Sequence, residues 1–72
     1  MINLEREILQ FIADFFNVRI YSNRLMGSYG DEHSLSELKA EIEVSYNVNL
    51  NVVSSMENMK VQDFIQKVVS KL

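Results

Sequence analysis

The chain has no cysteine and no proline, and only two of its 72 residues are glycine. Without cysteine, neither disulfides nor thiolate metal sites can hold it together. Its core must therefore come from aliphatic and aromatic side chains alone. A chain of this length makes one domain at most, here residues 1–72. Such a domain buries only ~60% of its unfolded surface and is marginally stable. Both glycines fall in one stretch, Leu25-Met26-Gly27-Ser28-Tyr29-Gly30-Asp31, the clearest loop signal present. No apolar run approaches the ~20 residues a membrane span requires. The start, Met1-Ile2-Asn3-Leu4-Glu5, lacks the basic and apolar segments of a signal peptide, so the expected location is the cytoplasm.

Clustered cations are also missing. The net charge is −3, and a nucleic-acid surface needs grouped lysine and arginine to release counterions. The acidity sits in the middle third. Asp31, Glu32, Glu37, Glu41 and Glu43 face only Lys39 within residues 25–50, while the two flanking thirds are close to neutral. An acidic region of this kind attracts basic protein surfaces and speeds their encounter. Its plainer meaning is a solvated helix face.

A hydrophobic content of 47% suits a globular fold, and the apolar positions recur at helical spacing. A first helix is expected from about Asn3 to Phe16, with Leu4, Ile8, Leu9, Ile12, Phe15 and Phe16 on its apolar face and Asn3 as N-cap. Asn17-Val18 should end it. A second is expected from Ser34 to Tyr46, with Leu35, Leu38, Ile42 and Tyr46 inward. Ser34-Leu35-Ser36-Glu37 reads as a capping box at its start. A short third helix is expected around Val52–Met56, and a last one over Lys60–Leu72 with Val61, Phe64, Ile65, Val68 and Leu72 inward. The connection Val18–His33 contains Val18, Ile20, Tyr21, Leu25 and Met26, so it should fold back over the bundle. Tyr21 and Tyr29 are expected to be its freer side chains. The fold class is all-α: three main helices, one short one, and a long first loop.

Little here points to catalysis. His33-Ser34 is the one adjacent base and nucleophile, but no G-x-S-x-G elbow surrounds it. Sequence neighbours rarely reach Ser–His geometry, and a helix cap explains Ser34 without chemistry. One histidine beside Asp31 and Glu32 supplies too few converging ligands for a metal. Met26, Met56 and Met59, and Phe11, Phe15, Phe16 and Phe64, read as core rather than as a ligand box.

Several ordered motifs resemble the acyl and peptidyl carrier proteins. His33-Ser34-Leu35 is similar to their Asp/His-Ser-Leu attachment motif. Glu37-Leu38 and the run Ile42-Glu43-Val44-Ser45-Tyr46-Asn47-Val48-Asn49-Leu50 resemble the end of their second helix. Met59-Lys60-Val61-Gln62-Asp63-Phe64-Ile65 resembles the start of their last helix. The resemblance covers nearly the whole chain and implies a small four-helix bundle of carrier type that catalyses nothing. It implies a 4'-phosphopantetheine arm on Ser34, added by a phosphopantetheinyl transferase and holding an acyl or aminoacyl cargo as a thioester. Glu32, Glu37 and Glu41 would then be docking charges for loading and synthase enzymes with basic patches, and the chain would act as a monomer. The interval from Ser34 to Tyr46 is shorter than in the family. Alignment without a gap from Glu37-Leu38 puts the family's serine at Glu32, which cannot carry the arm. The alternatives are a holo carrier modified at Ser34 and a carrier-like fold with no prosthetic group that serves as an interaction module.

Overall fold

The computed structural model describes residues 3–50 and 56–72. Among them are three α-helices and two single 3-10 turns, with no strand. They are α1 (Leu4–Phe16), a turn at Met26–Ser28, α2 (Glu32–Tyr46), a turn at Met56–Asn58 and α3 (Val61–Lys71). None of these helices is long and apolar enough to cross a membrane. The short helix expected around Val52–Met56 lies, up to residue 55, outside the described residues. Met56 itself is buried and opens the second 3-10 turn.

α1 starts where the sequence places it. The Asn3 side chain accepts the Arg6 amide at 3.1 Å, and Glu5 and Glu7 lie at the positive end of the helix. Both α1 and α2 stop on an asparagine in the left-handed conformation, Asn17 (φ 56°) and Asn47 (φ 55°). Asparagine tolerates this region because its short amide can bond locally. The amide of Asn17 returns to the Ala13 carbonyl and that of Asn47 to the Glu43 carbonyl. The two glycines are thereby left for other work, and neither has positive φ.

One core joins the elements. Ile8 and Ile12 of α1, Leu35, Leu38 and Ile42 of α2, and Val61, Phe64, Ile65 and Val68 of α3 are all buried. Ile20 and Met26 of the long connection join them, so that loop does fold back. Phe11, Phe15, Phe16 and Met59 pack half-buried on the edge of this cluster. The Phe11 ring lies 6.0 Å from Tyr46, whose hydroxyl reaches Glu7. Burial, and then the Glu7 charge, push the Tyr46 phenol above its ordinary range.

The connection also caps α3. Lys60 offers no side-chain cap, but the Arg24 carbonyl accepts the Val61 amide and the Ser22 carbonyl accepts the Gln62 amide, both at 2.9 Å. Leu25 and Lys60 form an isolated antiparallel bridge beside these bonds. Tyr29 is not free as expected: it is half-buried, and its hydroxyl accepts the Tyr21 amide at 2.9 Å. Tyr21 remains exposed.

The glycines permit close approach. A Cβ on Gly27 would stand 2.6 Å from the Glu57 carbonyl oxygen, a backbone atom that cannot swing aside. Gly27→Ala must separate the two 3-10 turns, and the overpacking should cost roughly 1–3 kcal/mol. The urea midpoint measures this; an unchanged midpoint would mean the turns do not touch. A Cβ on Gly30 would meet the Phe16 ring at 2.7 Å and Ser34 Cβ at 3.1 Å, so Gly30 seats the start of α2 against α1.

Candidate functional site

α2 begins two residues earlier than its sequence suggests. Asp31, not Ser34, is the N-cap: its Oδ1 accepts the Ser34 amide at 2.8 Å. Glu32 is the first helical residue, His33 the second and Ser34 the third. Asp31-x-x-Ser34 and Ser34-x-x-Glu37 both read as caps. The earlier one is used, and Gly30 just before it stands close against the Phe16 ring. The capping box expected from Ser34 and Glu37 therefore does not form. Ser34 is half-buried, with its Cβ beside Gly30, and does not open the helix.

Asp31 is held below the ordinary carboxylate range by the Ser34 amide first, then by the Ser34 side chain, with a smaller contribution from the His33 charge. A lowered folded-state pKa stabilises the fold above the ordinary carboxylate value of 3.8, and the contribution is lost as pH falls through the lower folded value. Asp31→Asn should keep the cap at neutral pH while removing this part of the acid sensitivity, whereas Asp31→Ala should lose both. Thermal melts between pH 7 and strongly acidic buffer separate the three proteins. Equal acid slopes in wild type and Asp31→Asn would exclude Asp31 as the group responsible.

Past the cap, α2 turns an unusual face outward. His33 Nε2 lies 2.9 Å from Glu37 Oε1, with both side chains exposed. Glu41 follows one turn later and Val44 after it, 83% exposed, with Ala40 exposed beside them. Residues 33, 37, 41 and 44 are spaced i, i+4, i+8 and i+11 and form one ridge along the helix. The other acidic residues of the middle third do different work. Glu43 is half-buried, 3.9 Å from Lys39, and its Oε2 accepts the Leu50 amide at 3.0 Å, fixing the chain where it leaves α2. Glu32 is exposed but lies about 140° around the axis from Glu37, at 100° per residue.

The structure thus brings Glu37 and Glu41 together and places Glu32 apart from them. It also adds Val44, which sequence reasoning missed. A lone valine seven residues from Glu37 on an otherwise polar stripe was the signal. The His33 imidazole pairs with Glu37 rather than with Ser34. Among the described residues, no three histidine, aspartate or glutamate side chains converge as a metal site.

In chemical terms the ridge offers two carboxylates one turn apart beside a solvent-facing apolar side chain. That arrangement can bind a cationic surface carrying an apolar pocket. Comparison with protein-family models, with curated proteins and with solved structures finds no match to this chain.

Proposed function

We propose that this chain is a carrier-type helical module that works without a prosthetic arm, docking the ridge Glu37–Glu41–Val44 of α2 onto a cationic protein partner. The start of α2 carries the proposal. Asp31 caps the helix and Glu32 follows directly, at the position where the gapless family alignment puts the modified serine. A glutamate has no hydroxyl to take a phosphodiester. Ser34 lies two residues further on, half-buried, with its amide already bonded to a carboxylate. An anion at the Ser34 hydroxyl would meet Asp31 at the helix end, where free amides would otherwise attract it. The ordered motifs that resemble the carrier proteins, the long first connection and the short turn before α3 support the carrier-type bundle.

Docking is tested with a probe of defined chemistry, an arginine–leucine peptide that folds as an amphipathic helix. On titration, amide shifts should move most at Glu37, Glu41 and Val44. The double reversal Glu37→Lys and Glu41→Lys should weaken binding roughly tenfold at low salt, an effect that shrinks as salt screens exposed charges. Shifts centred elsewhere, or unchanged affinity in the double variant, would remove the ridge as the docking surface.

A second reading is favoured by one observation: Ser34 is only half-buried and lies within His33-Ser34-Leu35. On this reading Ser34 carries 4'-phosphopantetheine and delivers an acyl or aminoacyl thioester to synthase enzymes. Transferase and coenzyme A would then add mass to the wild-type chain and none to Ser34→Ala.

A further inference from the structure

We propose that His33 makes docking by the α2 ridge dependent on pH, its protonated ring occupying Glu37 and withdrawing that carboxylate from the partner. The inference rests on reading the ridge as the docking surface and concerns its regulation. The imidazole Nε2 stands 2.9 Å from Glu37 Oε1, one helical turn away and on the ridge itself. His33 is 83% exposed and Glu37 61%, so solvent and partner both reach the pair. The charges near His33 belong to α2 and its cap: Asp31, whose carboxylate feels the His33 charge; Glu32, its neighbour in sequence; and Glu37.

Histidine is the side chain whose charge changes between pH 5 and 8. With His33 neutral, the ridge presents the two full negative charges of Glu37 and Glu41. A neutral ring can still donate an N–H to Glu37, but it leaves the carboxylate's charge uncompensated. With His33 protonated, the proton sits on the ring, the ring and Glu37 form an ion pair, and the ridge presents one net negative charge. Removing one charge at near-contact distance in a solvent-exposed site changes affinity for a cationic partner by roughly threefold to fivefold. The switch is graded rather than all-or-nothing because both side chains remain in water.

The test measures the affinity of the arginine–leucine peptide at pH 8 and pH 5.5, for wild type and for His33→Gln. Arginine keeps its charge throughout, and the peptide's N-terminus is acetylated, so the probe does not titrate between the two pH values. Glutamine keeps a hydrogen-bond donor for Glu37 and cannot gain a proton. Wild type should bind roughly threefold to fivefold more weakly at pH 5.5, and His33→Gln should bind almost equally at the two values. The same pH dependence in both proteins overturns the switch while leaving the docking surface in place. No binding by wild type at either pH overturns both. A readout without the peptide checks the pair itself. The Glu37 side-chain carboxyl resonance should move in step with the His33 ring resonances as pH is varied. It should lose that inflection in His33→Gln, and independent titration of the two groups in wild type would overturn the proposal.

Discussion

Phe64→Ala is expected to remove most of the stability of this domain. Phe64 is fully buried in α3 and is the largest side chain with no exposed surface. It shares one core cluster with Ile8 and Ile12 of α1 and with Leu38 and Ile42 of α2. Truncating a buried phenylalanine costs about 3–5 kcal/mol through lost transfer energy and the cavity left behind. At ~0.05–0.15 kcal/mol per residue, a chain of this length has roughly 4–11 kcal/mol in total. Thermal melts followed by circular dichroism should show a midpoint lowered by more than about 15 °C, or no folded baseline at room temperature. Val44→Ala is the control. It removes an apolar side chain from the surface and should change stability by less than about 0.5 kcal/mol. A small effect at Phe64 would mean that the three helices do not share the core described above.

The second large effect is a gain of chemistry. Glu32→Ser should turn the chain into a substrate for a broad-specificity phosphopantetheinyl transferase, while the wild-type chain stays unmodified. The substitution places a hydroxyl on the first helical residue directly after the Asp31 cap. There the first-turn amides and the helix dipole favour an attached phosphodiester. Glu32 is exposed, so its replacement should leave the core untouched. Intact mass after incubation with transferase and coenzyme A gives a nearly binary answer. Modification of the wild type that disappears in Ser34→Ala would install the armed reading. No modification of Glu32→Ser by any of several transferases would argue that the surroundings of α2, and not one missing hydroxyl, keep the arm off.

Both expectations depend on features of unequal visibility in the sequence. The span of α1 was legible because its signals are local: Asn3 offers a cap, Ile8 and Ile12 keep helical spacing, and Asn17 supplies a stop. α3 was legible for the same reason: Val61, Phe64, Ile65 and Val68 are buried as expected, while Leu72, also expected inward, lies exposed past the end of the helix. The start of α2 was not. Two overlapping cap patterns compete there. The one that forms lies beside a close approach of Gly30 to Phe16, across fourteen residues, that no local pattern encodes. The acidic run also looked uniform, yet it divides into a cap (Asp31), a strut to Leu50 (Glu43) and an outward pair (Glu37 and Glu41). Charge composition announces that an acidic region exists but not which carboxylates are already committed to backbone amides. Val44 escaped because a search for apolar periodicity discards the apolar residue that breaks the period.

The carbonyls of Ser22 and Arg24 that close the first turn of α3 come from nearly forty residues earlier in the chain. A fragment holding only the C-terminal half would therefore keep the residues of that helix but lose the acceptors for its leading amides. A single protease cut between residues 18 and 31 should have a similar consequence at a distance, fraying a helix that the cut never touches. Unfolding is then expected to be concerted, with the amides of Val61 and Gln62 losing hydrogen-exchange protection together with the loop rather than after it.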